Sequence, residues 1–432
     1  MDSTFINLES LIRDVGLLTE VKRRKKFMLV GTHAHQTTGY SKVTYHIIQE
    51  LAKRDICDIY HFGFQKFIGD VPGYREYPKG VDVYDPAAKE RLQEAEPEMG
   101  FGFSQLPDYV RSVKPDILMI YNDAGVICKF LEKLAEKNVE KTYKTIIYLD
   151  QVYSIQRPEI LSRIDKDADI YFAFTQYWKE MLAKQGIQKP IHILRHGFDR
   201  EQFVQLDKRS MRQKHKIPEN AFLILNLNRN TPRKRHDIST IAFAELVSKH
   251  PDLPLIMLCI CDAGETGGFP LQEIFLRELV RFNMNPNDHL HKFMLSKSSM
   301  TFPDTVINEF YAISDIGVNA AEGEGFGLCQ FESMGIGVPQ VVSDVGGFKD
   351  FCKHNRNSLV VPIYWRAYLA LGQSSVGGIG EYVKPSDVCS AFERYLLDPD
   401  LRLEHGKNAM LTVFEYTWHK EVDSLVNVIR DL

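Results

Sequence analysis

Residues 322–347, EGEGFGLCQFESMGIGVPQVVSDVGG, combine seven glycines with three glutamates. We predict a glycine loop at residues 322–327 that leads into a helix beginning at Leu328. Glycines let the backbone approach a ligand, and the first N–H groups of a helix lack partners, so the junction suits a phosphate. Glu332 lies one turn later and leans toward the start of the helix. A carboxylate is favourable there only beside hydrogen-bond donors such as a ribose diol, so the pattern indicates a nucleotide.

A basic loop, NRNTPRKRHD, follows an apolar strand in the second half of the chain. Arg229 and Lys234 flank Pro232, and side chains at the carboxyl end of a parallel strand line the crevice in which doubly wound folds bind ligands. The two cations would complement a phosphate at that place. The alternative is a solvated basic patch formed by Arg233, Lys234 and Arg235.

Short apolar runs alternate with amphipathic helices along the whole chain. The first run, FMLVG, is followed by a polar loop that ends at Gly39 and by a helix that is apolar on one face. The rhythm pauses around residue 200, which we take as a domain boundary, and restarts with AFLILNLN. This alternation predicts two doubly wound α/β domains. The segment EYTWHKEVDSLVNVIRDL predicts one more amphipathic helix at the end.

Composition narrows the class of protein. A length of 432 residues exceeds what one hydrophobic core usually organises, and the net charge of -4 argues against nucleic-acid binding. No apolar run is long enough to cross a membrane and no signal peptide is recognisable, so we expect a cytoplasmic protein. The seven cysteines are scattered without a CxxC pair, which predicts reduced thiols. The pairs His33/His35 and His289/His291 have no nearby ligands at zinc spacing, so no metal site is predicted.

Taken together, these motifs resemble the nucleotide-sugar site of retaining glycosyltransferases of family 4, which have the GT-B fold. The most specific part is the Glu-Gly-Phe-Gly run with Glu324 and Glu332, and the resemblance covers about residues 27–430. Supporting matches are Gly337-Val338-Pro339, residues 343–347, the spacing of Arg229 and Lys234, the inter-domain segment His196-Gly197-Phe198-Asp199 with Phe203, and Thr417-Trp418.

The resemblance implies two Rossmann-like domains that face a central cleft. Residues 1–200 would form the acceptor domain, with an extra N-terminal helix at 5–21, and residues 201–414 the nucleotide-sugar domain. Residues 415–432 would form a helix that crosses back and packs on the first domain.

The resemblance also implies roles for individual residues. Arg229 and Lys234 would hold the donor diphosphate, and Glu324 would act with them in catalysis. The donor-side set is Gly39, Gly325, Phe326, Gly327, Leu328 and Glu332, and the acceptor-side set is Asp150 and His33. The donor would be a UDP- or GDP-sugar, with no other cofactor, and the acceptor a carbohydrate, a lipid-linked glycan or a small molecule.

Two positions depart from the family pattern. The family often has two adjacent glycines where this chain has Thr38-Gly39, so the role of the acceptor-side loop stays an open question. The family also often has a glycine where this chain has Arg235.

Two other motifs carry little weight. Asp165, Asp167 and Asp169 spell the DxD of metal-dependent glycosyltransferases, but they precede a strand and suit a capping role. Residues 31–41 lack the lysine of a phosphate-binding P-loop.

The resemblance implies attack on the sugar from the face of the leaving group, with the departing phosphate oxygen helping to remove the acceptor proton. If a double displacement occurred instead, Glu324 would be the nucleophile. Three function hypotheses stay open: a retaining glycosyltransferase, another GT-B enzyme such as an epimerase or a phosphorylase, and a non-catalytic nucleotide-sugar-binding partner. Residues 5–26 allow either peripheral membrane contact or packing on the first domain.

Overall fold

A computed structural model describes residues 23–432 except 68, 70–73, 265–266, 297–301, 371–373 and 375. The helix predicted at residues 5–21 lies outside the described residues. The cations that follow it are engaged by the first domain: Arg23 pairs with Asp116, and Arg24 pairs with Asp55 and Asp58. No helix within the described ranges is long and apolar enough to cross a membrane.

The first half of the chain forms a parallel sheet of seven strands in the order β3-β2-β1-β4-β5-β6-β7. The central strands are unbroken apolar runs because helices cover both faces of the sheet. The strands are β1 (Lys25–Thr32), β2 (Cys57–Phe64), β3 (Asp82–Tyr84), β4 (Ile117–Asp123), β5 (Lys144–Asp150), β6 (Ile170–Ala173) and β7 (Ile191–Ile193). The helices are α1 (Gly39–Arg54), α2 (Pro86–Arg91), α3 (Leu106–Val113), α4 (Ala124–Glu136), α5 (Pro158–Asp167) and α6 (Gln176–Lys184).

The second half forms a parallel sheet of six strands in the order β10-β9-β8-β11-β12-β13. Its strands are β8 (Phe222–Leu227), β9 (Leu255–Ile260), β10 (Phe293–Leu295), β11 (Ile316–Asn319), β12 (Gln340–Ser343) and β13 (Ser358–Val361). Its helices are α7 (Lys208–Lys214), α8 (His236–Lys249), α9 (Leu271–Arg281), α10 (Pro286–His289), α11 (Asp304–Ile313), α12 (Leu328–Gly335) and α13 (Phe348–Phe351).

Both sheets change winding direction beside their first strand, between β1 and β4 and between β8 and β11. In such sheets ligands bind outside the carboxyl ends of the strands at this switch point. The chain then adds an antiparallel hairpin of β14 (Trp365–Tyr368) and β15 (Ile379–Tyr382). Three helices end the chain: α14 (Pro385–Leu397), α15 (Pro399–Phe414) and α16 (Trp418–Asp431).

Helix α16 returns to the first half and lies against α1. Trp418 stacks on His46 with ring centroids 4.6 Å apart, and Arg54 forms an ion pair of 2.8 Å with Asp423. The returning chain also crosses the segment that joins the two halves, where the N–H of Phe198 donates to the carbonyl of Tyr416 at 2.7 Å. The two sheets and the crossing helix are the architecture that the sequence predicts.

Candidate functional site

The glycine loop at residues 322–327 joins β11 to α12. Gly327 has a φ of +93°, in the left-handed region that favours glycine, and a Cβ there would lie 2.3 Å from the Phe348 ring. No side chain caps the first turn of α12. The predicted junction of glycine loop and uncapped helix is therefore present, and the first N–H groups of α12 have no side-chain acceptor.

Glu324 is buried at the centre of this loop. Its carboxylate forms an ion pair with Lys234, accepts a hydrogen bond of 3.3 Å from the Asn319 amide and lies 3.5 Å from Arg233 Nη1. Burial disfavours the charged carboxylate, but the positive charges of Lys234 and Arg233 outweigh this effect and lower the pKa of Glu324. Two residues that the sequence places 90 positions apart thus form one charge pair.

The basic loop differs from a solvated patch. Arg233 Nη1 donates to the carbonyl of Gly323 at 2.7 Å, inside the cleft. Arg235 donates to both oxygens of Asp237, at 2.9 and 2.5 Å. The Arg229 side chain, by contrast, is exposed at the end of β8. The alternative of a solvated patch is therefore wrong for Arg233 and Arg235, because the Gly323 carbonyl and the half-buried Asp237 carboxylate hold these two side chains.

Arg235 also explains a departure from the family pattern. Its φ is +48°, a left-handed conformation that glycine adopts without strain and that costs another residue about 1 to 2 kcal/mol. Thr38 explains the other departure, since its hydroxyl accepts from the N–H of Ser41 and caps α1. The residue that replaces the first glycine therefore stabilises the start of the helix.

Glu332 lies on α12 and is also buried. Tyr311 donates to one carboxylate oxygen at 3.0 Å, and Lys42 Nζ lies 2.5 Å from the other. Lys42 belongs to α1 of the first domain and is 3.1 Å from Asp304 as well. Burial opposes the charge on Lys42, but Glu332 and Asp304 outweigh it and raise the lysine pKa. Lys42 was not predicted from the sequence as a site residue. Its position in the first turn of α1, directly after Gly39, is the feature that could have identified it.

The remaining donor-side residues lie along the same junction. A Cβ on Gly39 would lie 3.6 Å from the side chain of Leu328, so the first turn of α1 faces α12. The carbonyl of Gly325 accepts from Trp178 Nε1 at 2.6 Å. Phe326 is buried with its ring centroid 4.4 Å from that of His196, where it packs between the domains.

Asp150, at the end of β5, reaches the glycine loop from the first domain. One carboxylate oxygen accepts a hydrogen bond from Tyr40, and the other is buried with no hydrogen-bond partner. That second oxygen would lie 2.1 Å from a Cβ on Gly325. Burial raises the pKa of Asp150 to about 6. His33 sits in a ring cluster within the first domain, 4.9 Å from His35 and 5.3 Å from Tyr77.

Asp150→Asn should raise the melting temperature at about pH 8 and change it much less at about pH 4. The folded state holds a desolvated carboxylate above its pKa of about 6, whereas an unfolded aspartate ionises freely near pH 4. Stability from this group is therefore present at low pH and lost as the pH rises through 6. The neutral amide removes that loss and still accepts from Tyr40. A melting-temperature difference that stays constant between the two pH values would contradict this.

The acidic residues before β6 have structural partners. Asp165 accepts from the hydroxyl of Tyr171 at 3.1 Å, Asp167 pairs with Arg163, and Asp169 accepts from the N–H of Thr145 at 2.8 Å. In the part of the chain that the structure describes, no cluster of three His, Cys, Asp or Glu residues has the arrangement to hold a metal ion.

Comparison with known proteins identifies a similar family and similar curated proteins. Residues 207–371 match the family glycosyl transferases group 1. The chain is 26% identical over 282 residues to D-inositol 3-phosphate glycosyltransferase of Acidothermus cellulolyticus, covering 63% of this chain and 57% of that protein. It is 23% identical to D-inositol 3-phosphate glycosyltransferase 2 of Catenulispora acidiphila, covering 51% and 46%. The chain thus spans about half the length of these curated relatives.

Solved structures agree over nearly the whole chain. Anabaena Alr3699/HepE in complex with UDP and glucose superposes with a TM-score of 0.67 at 13% identity, covering 94% of this chain and all of that one. Sucrose-phosphate synthase from Thermosynechococcus elongatus gives 0.69 at 14% identity, with 94% and 99% coverage. The fold class is therefore GT-B, as predicted: two Rossmann-like domains face a cleft. In the second domain, residues 207–371 are similar to the family glycosyl transferases group 1.

Proposed function

We propose that this protein is a retaining glycosyltransferase that transfers a sugar from a UDP- or GDP-sugar to a carbohydrate, lipid-linked or small-molecule acceptor without a metal ion. The observation that carries the proposal is the pairing of Lys234 with Glu324 at the uncapped start of α12. The names of the curated relatives favour a glycosyltransferase. The solved structures in complex with UDP and UDP-glucose favour a UDP-sugar donor.

The charged side chains in the cleft suggest how the donor would bind. Glu324 is the counter-ion of Lys234 and Arg233, and an incoming diphosphate would compete for the same two cations. The N–H groups at the start of α12 add partial positive charge at the same place. Glu324 would then accept hydrogen bonds from hydroxyls of the donor sugar. Arg229 is exposed just beyond the end of β8. We keep its proposed role as the second residue that binds the donor diphosphate.

The proposed transfer step is the one that the family resemblance implies. The bond between the anomeric carbon and the phosphate oxygen breaks, and the acceptor oxygen forms a bond to that carbon on the same face. The acceptor proton passes to the leaving phosphate oxygen, so a glycoside and a nucleoside diphosphate result. Lys234 and Arg233 stabilise the negative charge that develops on the leaving group. Asp150, with an unpartnered oxygen aimed at Gly325, would accept a hydrogen bond from a sugar or acceptor hydroxyl.

Thermal stabilisation by nucleotide sugars tests donor binding, since a ligand of the native state raises its melting temperature. We expect UDP-glucose or GDP-mannose to stabilise the protein, and free uridine or guanosine, which lacks the diphosphate, to do so far less. Equal stabilisation by the free nucleoside would contradict the proposed role of Lys234 and Arg229 in binding the diphosphate.

NMR of the anomeric proton in the transfer product then shows whether configuration is retained, and an inverted product would contradict the proposal.

The rival functions have separate signatures. An epimerase would convert the donor with no acceptor present. A phosphorylase would need inorganic phosphate, and a binding protein would be stabilised by donor without turnover on any acceptor. None of these three rivals is favoured by a particular contact among the described residues.

Sugar transfer should continue at its full rate in excess EDTA. The proposed clamp supplies at least two cations to the leaving diphosphate, which is the charge that a divalent ion would otherwise provide. The measurement is the release of nucleoside diphosphate before and after chelation. Loss of activity that Mg²⁺ or Mn²⁺ restores would overturn metal independence.

A further inference from the structure

The hairpin of β14 and β15 exposes large aromatic side chains beside the glycine loop. Trp365 is 57% exposed and Tyr364 is 67% exposed, whereas Trp178 and Trp418 are buried. Trp365 lies opposite Tyr382 in the hairpin register, with ring centroids 5.0 Å apart. Exposed aromatic groups on a paired hairpin are unusual for a protein surface and mark binding sites.

These rings form one wall of a shallow pocket of about 310 Å³. Ile238 and Ile241 from α8 and Pro385 from α14 form its apolar base. Arg235 and Asp237 line it as well, held together by two hydrogen bonds of 2.9 and 2.5 Å. The guanidinium also lies over the Tyr382 ring, 5.1 Å from its centroid. The pocket thus combines aromatic faces with one fixed pair of hydrogen-bonding groups.

The pocket is joined to the proposed transfer site through Glu322. Arg235 Nη1 lies 3.8 Å from the Glu322 carboxylate, and the N–H of Glu381 on β15 donates to the Glu322 carbonyl at 2.8 Å. Tyr153 of the first domain donates to the same carboxylate at 3.0 Å. Glu322 precedes Glu324 by two residues, so the pocket lies at the rim of the cleft and continues the proposed site. Arg235, with its left-handed φ of +48°, lies where the pocket meets Glu322.

We propose that this pocket binds a sugar unit of an oligosaccharide acceptor, at a distance from the hydroxyl that is glycosylated. A pyranose ring presents C–H groups on its faces and hydroxyls on its edge. The electron-rich faces of Trp365 and Tyr382 attract the C–H groups, and Arg235 with Asp237 can hydrogen-bond the hydroxyls. The proposal rests on the glycosyltransferase function and narrows its acceptor to a chain of several sugars.

Tryptophan fluorescence tests the pocket without an activity assay. Trp365 is the exposed one of three tryptophans, so iodide should quench mainly its emission. We expect hexasaccharides from a panel of gluco-, manno- and galacto-configured chains to shield it, and the matching monosaccharides to shield it much less. Trp365→Phe should abolish the iodide-sensitive signal. Arg235→Ala should weaken shielding by about tenfold, the equivalent of one lost stacking and hydrogen-bonding group.

Tyr368→Ala is the matched control, because Tyr368 is an exposed aromatic on the same hairpin outside the pocket. It should leave shielding unchanged. No shielding by any hexasaccharide at millimolar concentration would overturn the proposal, and so would shielding lost equally in Tyr368→Ala. If Trp365 becomes shielded from iodide as the protein concentration rises, with no saccharide present, the pocket binds a second copy of the chain instead. The melting temperature of the same samples with and without a nucleotide sugar separates the two kinds of failure. If the donor stabilises the protein while no saccharide shields Trp365, the pocket proposal fails and the proposed function stands.

Discussion

Replacing Lys234 with alanine is expected to lower turnover by about a hundred- to a thousandfold while donor affinity changes much less. The lysine side chain is 13% exposed, pairs with Glu324 and would face the diphosphate as its charge develops in the transition state. One preorganised group of this kind is worth about 2.7 to 4 kcal/mol. The measurement is turnover and donor dissociation constant for the variant and the wild type.

The neighbouring cations give this experiment its controls. Arg229→Ala should resemble Lys234→Ala if the family spacing holds. The contact of Arg233 with Gly323 and its closeness to Glu324 predict that Arg233→Ala also loses turnover. Arg235→Ala, whose side chain pairs with Asp237 in the proposed saccharide pocket, should leave the donor dissociation constant unchanged. If Lys234→Ala turns over normally while Arg233→Ala does not, the clamp belongs to Arg233 and the spacing was wrong.

The alternation of elements was readable because it depends on local pattern. Strands such as β1 and β4 are unbroken apolar runs, and a helix begins after the glycine loop as expected. The same local signals placed Glu332 one turn into α12. Fold class followed from these elements and the resemblance, since parallel strands with helices between them leave few arrangements.

The contacts across the cleft could not be read in the same way. Lys42 reaches Glu332 over 290 positions of sequence, and Tyr153 reaches Glu322 over 169. Such pairs depend on how the two sheets face each other, which no local pattern records. The alternative of a solvated patch at residues 233–235 stayed open for the same reason, because the partners of Arg233 and Lys234, Gly323 and Glu324, lie 90 positions away.

Removing residues 418–432 is expected to leave the protein unfolded or aggregated at room temperature. The deletion takes away Trp418, Val422, Leu425 and Ile429, which are almost fully buried. Burial of each such side chain stabilises by about 1.5 to 3 kcal/mol, so the sum approaches the whole stability of a typical domain, roughly 5 to 15 kcal/mol. It also leaves Lys25 without the carbonyl of Ile429, to which its ammonium donates at 2.8 Å.

A single substitution makes the same claim measurable in a folded protein. Leu425→Ala should lower the free energy of unfolding by about 2 to 5 kcal/mol, because Leu425 is fully buried and its truncation leaves a cavity in the core. Asn427→Ala is the matched control, since Asn427 is exposed on the same helix and should change stability by less than about 0.5 kcal/mol. Urea unfolding of both variants gives the two numbers. If Leu425→Ala unfolds at the wild-type midpoint, α16 is not part of the cooperative unit, and its crossing to the first domain contributes little to holding the cleft together.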